Sequence, residues 1–105
     1  MSVHQAVEQP RQLGNEIPHA RLRLADAAAE LGALLGQLGD YTEAEPLLRH
    51  AVRIYQSRQG RDHLRLAAAL TALSGACAAR GRLVEAERLS RRALHVIDME
   101  AQERQ

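Results

Sequence analysis

Histidine, cysteine and carboxylate side chains are the groups in this chain that could bind a metal or take part in catalysis. A metal site on one helix needs ligands at helical spacing, so that their side chains lie on the same face. The histidines do not pair with one another or with the single cysteine at that spacing; they are His4, His19, His50, His63 and His95. We therefore predict no metal site and no cofactor.

The remaining reactive groups have structural explanations. Cys77 falls at a core position of a predicted helix, where a small buried thiol is more common than a nucleophile. The glutamates Glu43, Glu45, Glu85 and Glu87 stand where they would cap a helix or pair with an arginine. No glycine-rich phosphate loop is present in the sequence. The sequence thus predicts a protein that is not an enzyme.

The elements that position these groups repeat along the chain. Residues 21–62 and residues 63–104 match at 13 of 42 positions when they are superimposed. Gly39, for example, returns as Gly81. A fixed period of this size is typical of stacked-repeat proteins, in which one unit cannot bury its apolar face alone.

The first predicted helix runs from Pro18 to about Leu38 and follows a flexible segment over residues 1–17. Its apolar residues are spaced by three and four, which predicts that they face the core. This stripe consists of Leu24, Ala27, Ala28, Leu31, Leu34, Leu35 and Leu38.

A capping box marks the start of the second predicted helix. Asp40 is expected to accept a hydrogen bond from the N–H of Glu43, while the Glu43 side chain reaches back. The helix is expected to continue to about Arg58, with Gly60 beyond its end.

Two further helices complete the pattern. Asp62 is a candidate cap for a third helix over about residues 63–80. The fourth helix is expected to run from about Leu83 to Met99, and residues 101–105 are expected to fray.

The second copy departs from the first at its turn and its helix crossing. Arg82 stands where Asp40 stood, so we expect the cap to be lost, at a cost of about 1 kcal/mol. Ser74 and Ser90 replace Gly32 and Leu48 of the first copy. We therefore expect the second copy to pack less well than the first.

Small and large residues recur at fixed places in both copies. These places are Leu31, Gly32, Gly39, Tyr41, Ala44, Leu48 and Ala51, then Leu73, Ser74, Gly81, Leu83, Ala86, Ser90 and Ala93. This spacing resembles the tetratricopeptide repeat, and the period of 42 with a proline at Pro46 is similar to its kinesin-light-chain type.

The resemblance implies an all-α fold with four main helices. They would form two tandem helical hairpins, a fragment of a right-handed α-solenoid. The domain would span residues 18–100, with repeat 1 at about 21–62 and repeat 2 at about 63–100. The family also implies a protein-binding function.

Repeats of this family bind partners on the concave face formed by the first helix of each hairpin. Here that face is predicted to be mostly methyl groups and bare backbone; it consists of Asp26, Ala29, Glu30, Ala33, Gly36, Gln37, Ala68, Thr71, Ala72, Gly75, Ala78 and Ala79. It has neither the basic carboxylate clamp nor the asparagine ladder that some members use. We therefore predict an adaptor or assembly subunit that docks a helix or peptide of another protein.

Self-association is an alternative that the sequence leaves open. Two repeats are few for a solenoid, and nothing after Met99 looks like a capping helix. The last helix would then expose Leu94, Val96 and Ile97. A homodimer or larger homo-oligomer, formed through the groove or the terminal hairpin, would cover them.

An arginine stripe on the second helices is a further candidate surface, consisting of Arg49, Arg53, Arg88, Arg91 and Arg92. It could contact an acidic partner, although ion pairs on a solvated helix face explain it as well. Nucleic acid is not an expected partner, because no aromatic residues interleave the arginines.

Composition narrows the class further. The net charge is +1, and all 14 basic residues are arginine, which favours a GC-rich, bacterial source. One cysteine favours a reducing compartment. The sequence shows no signal peptide and no membrane span, so we predict a cytoplasmic protein without a membrane partner.

Overall fold

A computed structural model gives the structure of the chain, and its described residues form α-helices and turns. The structure describes the backbone of residues 3–58 and 62–104, and the side chains of residues 19–58 and 62–104. Gly60, which is predicted to lie beyond the end of the second helix, and the side chain of His4 lie outside the described residues. No helix within the described ranges is both long enough and apolar enough to cross a membrane.

The helices are α1 (Val3–Gln37), α2 (Tyr41–Gln56), α3 (His63–Ala79) and α4 (Leu83–Glu103). Helix α1 packs against α2, and α3 packs against α4; α2 also packs against α3, whereas α1 and α3 touch only slightly. These are the two helical hairpins that the sequence predicted, and we call them hairpin 1 (α1 and α2) and hairpin 2 (α3 and α4).

The same turn closes both hairpins. Gly39 and Gly81 adopt φ values of 86° and 85°, a left-handed conformation that glycine adopts at little cost. The next amide then reaches back to the preceding helix: the Asp40 N–H donates to the Leu35 carbonyl at 2.8 Å. In hairpin 2 the equivalent bond is 2.9 Å long.

Helix α1 begins earlier than the sequence predicted. It starts at Val3 rather than Pro18, and its backbone remains helical through Pro10. A proline removes one backbone hydrogen bond, but its φ value suits a helix, so a long helix can contain one. The predicted start at Pro18 was wrong, whereas the flexibility of residues 1–17 and the repeat boundaries stay predictions.

Helix α4 also extends beyond its predicted end. It continues to Glu103 rather than stopping at Met99. Glu100 accepts a hydrogen bond from Arg104 at 2.8 Å, one helical turn away, which supports the added turn.

The core face of α1 differs from the predicted one. Ala25 and Ala28 are buried, and Gly32 lies against α2. A Cβ atom added at Gly32 would lie 2.7 Å from Cγ of Leu48, so glycine allows the close approach of α1 and α2. Most of the predicted leucine stripe is instead exposed, at Leu24, Leu31, Leu34 and Leu38. The prediction identified an apolar face but not the face that meets α2.

In hairpin 2, hydroxyl groups lie at the equivalent crossing of α3 and α4. Ser74 donates to the Ala86 carbonyl at 2.7 Å, and the hydroxyls of Ser74 and Ser90 lie 2.6 Å apart. Helices α3 and α4 pack against each other, as α1 and α2 do. The expectation that hairpin 2 packs less well stays a prediction.

The largest fully buried side chains are Leu48, Leu70, Leu73 and Cys77. They come from α2 and α3, the two middle helices. The core is therefore centred where hairpin 1 meets hairpin 2, and it holds the two first helices, α1 and α3, along one face of the molecule. The predicted core position of Cys77 is confirmed.

Candidate partner-binding groove

Two adjoining clefts lie between α1 and α3. Their volumes are about 450 Å³ and about 350 Å³, and they share Ala33, Leu48 and Ala72. Leu48 and Tyr55 of α2 form part of the floor. The two clefts thus form one continuous groove, with α1 and α3 as its walls.

Most of the predicted binding residues line this groove. From α1 and α3 these are Asp26, Ala29, Glu30, Ala33, Gly36, Gln37, Ala68, Ala72 and Gly75. The concave face that the repeat pattern predicts is therefore a real depression in the structure.

Thr71 and Ala78 do not line the groove, and neither does Ala79. Thr71 is exposed, and its hydroxyl donates to the Ala67 carbonyl of its own helix. Helix α3 is rotated so that a different stripe faces the groove, formed by Arg65, Ala68, Ala69, Ala72, Gly75 and Ala76. The prediction missed Arg65, Ala69 and Ala76. Ala69 follows Arg65 by four residues and Ala76 follows Ala69 by seven, which is the spacing of one helix face.

The acidic end of the groove is largely neutralised from within. The Tyr55 hydroxyl donates to Asp26 at 2.5 Å, and Arg65 lies 3.3 Å from the same carboxylate oxygen. Burial of the ring, together with the bond to Asp26, raises the pKa of Tyr55. Asp26 is thus engaged within the chain, and Glu30 is the exposed carboxylate of the groove.

The end of the groove away from Asp26 is open. A Cβ atom added at Gly36 or at Gly75 would meet no atom within 4 Å. These glycines therefore do not serve close packing inside the chain, unlike Gly32. They leave bare backbone facing a space that another chain could enter.

A buried charge network joins the two hairpins at the other end of α2. Glu45, a buried carboxylate, accepts from Arg49 at 3.0 Å, from Arg80 at 3.0 Å and from Arg82 at 2.7 Å. Arg49 also pairs with Glu85 at 2.8 Å. Burial alone would raise the pKa of Glu45, but hydrogen bonds from Arg49 and Arg82 outweigh it and hold the pKa below its ordinary value.

The helix caps depart in part from their predicted form. Asp40 accepts from the Glu43 N–H at 3.3 Å, as predicted. Arg82 makes no capping bond, also as predicted, but its side chain reaches Glu45 instead. Asp62 occupies the N-cap position of α3 without capping it, because its carboxylate pairs with Arg58 and Arg65.

The predicted arginine stripe is divided among different environments. Arg49 belongs to the charge network, and Arg92 lines a cleft of about 260 Å³ beside Val96. Arg91 is exposed and lies 3.4 Å from Glu87. Arg53 and Arg88 are the exposed remainder. The structure therefore corrects the idea of one continuous stripe.

The predicted self-association residues also divide. Leu94 and Ile97 are exposed on α4, but Val96 is buried. Val96 follows Ala93 by three residues and lies on the same face of α4, which packs against α3. Val96 is therefore part of the core and not of an outer surface.

Three potential metal ligands meet across helices, where a search for spacing within one helix would miss them. His63 Nδ1 lies 3.1 Å from Glu100 and 3.6 Å from Glu103, with all three ligand atoms within 4.8 Å of one another. The hydrogen bond with His63, then the one with Arg104, lowers the pKa of Glu100. The hydrogen bond between His63 and Glu100 ties the end of α4 to the start of α3, with no cation needed to explain the contact.

Cys77 lies at the junction of the hairpins. It is fully buried, and its sulfur is 3.8 Å from Arg49 Nη2. Burial raises the pKa of its thiol, and the charges of Glu85 and Glu45 raise it further. The thiol is therefore neutral and enclosed, which fits a packing role.

Comparison with known proteins agrees with this architecture. The family model described as tetratricopeptide repeat matches residues 23–96, which include the whole of α2 and α3 and part of α1 and of α4. No curated protein and no solved structure gives a match. Both glycine turns and the groove between α1 and α3 fall within the matched residues. The chain belongs to the tetratricopeptide repeat family, whose members are typically protein-interaction modules without catalysis.

Proposed function

We propose that the chain is an adaptor or assembly subunit that docks a helix of a partner protein in the groove between α1 and α3. The observation that carries this proposal is the open, small-residue surface of the groove. Its walls are built from alanine and glycine at helical spacing, as at Ala29, Ala33 and Gly36. Small residues let two helices approach closely, at about 8 Å between axes.

A helix fits this surface better than an extended peptide. An extended peptide leaves its own backbone N–H and C=O groups unpaired, and the surrounding protein has to satisfy them. At Ala29, Ala33 and Ala72 the walls carry methyl groups, which cannot form hydrogen bonds with a peptide backbone. A helix satisfies its own backbone, so it needs only apolar contact here.

The groove is long enough for a short helix. Its α1 wall runs from Asp26 to Gln37, which corresponds to about 17 Å at 1.5 Å per residue. About three turns of a partner helix would fit. Selectivity would come from one end, where Glu30 and Arg65 carry charge.

The test is a selection of peptides that bind the groove. A displayed peptide library is selected on the wild-type chain and counter-selected on Ala33→Glu, which places a charge in the shared part of both clefts. Ala78→Glu is the matched control, because Ala78 is an exposed alanine outside the groove. We expect binders with apolar residues spaced by three and four that lose affinity on Ala33→Glu only. Binders with apolar residues at every second position, or equal loss on both variants, would contradict helix docking.

Self-assembly through the terminal hairpin is the second candidate, and one observation favours it. Leu94 is 69 % exposed, whereas Val52, its equivalent in hairpin 1, is 6 % exposed because α3 covers α2. Ile97 is likewise exposed where Tyr55 is buried. Another copy could cover this outer side of α4, and Leu94→Glu would then lower the mass measured in solution.

A further inference from the structure

The side of α1 that faces away from α2 is apolar and exposed. It carries Leu24, Leu31, Leu34 and Leu38, with Ala27 among them. We call these five residues the outer face of α1. It is distinct from the groove, which Ala29 and Ala33 line on another side of the helix.

The same face of α3 is covered. Leu31 is 49 % exposed, whereas Leu73, its equivalent 42 residues later, is 1 % exposed. Leu34 is 57 % exposed and its equivalent Ala76 is 3 % exposed. On α3 this side meets α2, as the contact of Arg80 with Glu45 shows. The outer face of α1 is therefore a helix-packing surface that lacks its helix.

The outer face follows a seven-residue register. Leu24, Ala27, Leu31, Leu34 and Leu38 are separated by three, four, three and four residues. In the sequence the register continues upstream through Leu13, Ile17 and Ala20. A strict alternation of three and four is typical of the seam between two paired helices, whereas a helix on a globular core has a wider apolar stripe.

Helix α1 is also much longer than its partner in the hairpin. It has 35 residues against 16 in α2. Its length is about 52 Å at 1.5 Å per residue, so α2 covers only part of it. A second long helix is the element that would match the whole register.

Helix α4 of another copy is a poor match for this face. If α4 took the place that α2 has on α3, Glu87 would take the place of Glu45. Glu45 meets Arg80 and Arg82, but the equivalent residues of hairpin 1 are Leu38 and Asp40. Glu87 would therefore face a leucine and another carboxylate, and the contact would lose the charges that join the hairpins.

We propose that α1 pairs with α1 of a second copy as an antiparallel, two-stranded coiled coil. The two-fold axis then lies level with the peptide bond between Ala25 and Asp26. In this register every pair of facing seam residues between residue 13 and residue 38 is apolar. Each layer joins two residues of the register; the layers are Leu24 with Ala27, Leu31 with Ala20, Leu34 with Ile17, and Leu38 with Leu13 of the second copy. Pro10 lies beyond the last layer, whereas a parallel pair would place it in the seam.

The flanking charges are complementary in this arrangement. Arg23 and Glu30 are exposed and stand beside the seam at equivalent register positions. In the antiparallel register Arg23 of one copy faces Glu30 of the other, and two-fold symmetry repeats the pair. Charge complementarity therefore selects the same register as the apolar layers.

The first test is the mass of the full chain in solution at micromolar concentration. We expect twice the 11.6 kDa of one chain. Leu31→Glu combined with Leu34→Glu should give a monomer, while thermal unfolding followed by circular dichroism still shows one cooperative transition. Leu94→Glu combined with Ile97→Glu, and separately Ala33→Glu, should remain dimers. A wild-type monomer, or a dimer lost only on Leu94→Glu with Ile97→Glu, would overturn the proposal.

The second test is a charge exchange that separates the seam from general surface effects. Arg23→Glu and Glu30→Arg should each weaken the dimer by about tenfold, because each turns both symmetric pairs into like charges. The double variant restores opposite charges, so its dissociation constant should return close to that of wild type. Additive weakening in the double variant would rule out the antiparallel register. Glu30 also lines the groove, so its variants could change peptide binding as well as pairing of the chains. The effect of losing the dimer on peptide binding is therefore measured with the variant that combines Leu31→Glu and Leu34→Glu, which leaves the groove residues unchanged.

Discussion

The two hairpins bring their helices together at equivalent residues with opposite chemistry. In hairpin 1, Gly32 has no side chain and Leu48 fills the space. In hairpin 2, the same positions are Ser74 and Ser90, and their hydroxyls pair 2.6 Å apart. The two hairpins thus share the close approach of their helices at this crossing and differ in its polarity, because either pair allows the helices to touch.

What lies outside each hairpin explains the difference. Leu48 is buried beneath α3, whereas Ser90 is exposed because no helix in the described part of the chain packs beyond α4. A leucine is stabilising only where a neighbour covers it. The terminal repeat of a solenoid needs a polar outer side, and the serine pair supplies it in part.

The largest expected effect comes from giving hairpin 1 the chemistry of hairpin 2. Leu48→Ser should lower the free energy of unfolding by about 4 kcal/mol, because it leaves a cavity and a hydroxyl that faces bare backbone. Urea denaturation followed by circular dichroism measures the change. The matched variant Ser90→Ala should cost far less.

Restoring the pair sharpens this test. Gly32→Ser added to Leu48→Ser recreates both hydroxyls and should recover about 1 kcal/mol of the loss, the contribution of one hydrogen bond. If the double variant is less stable than Leu48→Ser alone, the two hairpins do not use interchangeable pairs.

The next largest effect on the free energy of unfolding is expected at Glu45, and its equivalent Glu87 in hairpin 2 is the control. Glu45→Gln should cost about 2 kcal/mol, since a buried carboxylate that accepts from three arginines is replaced by a neutral group. Glu87→Gln should cost less than about 0.5 kcal/mol, because its pair with Arg91 is exposed. Equal losses in urea denaturation would show that the network does not distinguish the hairpins.

The loss at Glu45 should depend on pH. Its pKa in the folded chain is lower than its ordinary value of 4.5, so the folded state binds fewer protons than the unfolded state. The stabilisation is therefore complete above that value and disappears as the pH falls through the folded pKa. Wild type and Glu45→Gln should converge in stability in acid, whereas a constant difference down to the lowest pH would contradict the lowered pKa.

The third comparison is between two glycines of α1, Gly32 and Gly36. Gly32→Ala should lower the free energy of unfolding by about 1.5 kcal/mol, because the new methyl group would overlap Leu48. Gly36→Ala should raise it by about 0.7 kcal/mol, because nothing lies near the new methyl group and alanine favours the helix. A decrease in the free energy of unfolding for Gly32→Ala with an increase for Gly36→Ala would show that close approach of helices is confined to the crossing of α1 and α2. A decrease for both variants would contradict it.

The smallest of the four main losses of stability is expected at the serine pair itself. Ser74→Ala should cost about 1 kcal/mol through the loss of its bond to the Ala86 carbonyl and its contact with Ser90. Ser90→Ala should cost less, because water can replace it at an exposed position. A larger loss for Ser90→Ala would mean that α4 has a covering partner under the conditions of measurement.

The repeat period made the fold predictable. Small residues and turn glycines recur every 42 residues, so the helices, the turns at Gly39 and Gly81, and most of the groove followed from the sequence. The bounds of α1 and α4 did not follow, because proline and a polar end were interpreted as stops. A helix that gains an ion pair, as at Glu100 and Arg104, can continue through such signals.

The burial of α1 was the main error, and its cause is physical. A hydrophobic pattern shows that a helix has an apolar face, but α1 has two, one of alanine and glycine and one of leucine. The alanine face meets α2 because small residues permit the closest approach, as Gly32 shows. Larger residues gave the stronger signal in the sequence and led to the wrong face.

Contacts across helices were also beyond the sequence. Arg82 was recognised only as a missing cap, yet it pairs with Glu45, and His63 meets Glu100 from another helix. Each pair joins residues 37 positions apart, so no local spacing reveals it. Helix rotation likewise decided that Arg65 rather than Thr71 faces the groove.

Cys77 gives the molecule an intrinsic reporter of how the two hairpins separate. Its thiol is enclosed where α2 meets α3, and its raised pKa keeps it unreactive while the chain is closed. A thiol reagent can modify it only after that junction opens. The rate of modification at low denaturant therefore measures the local opening equilibrium, and it shows whether the hairpins part before the whole chain unfolds.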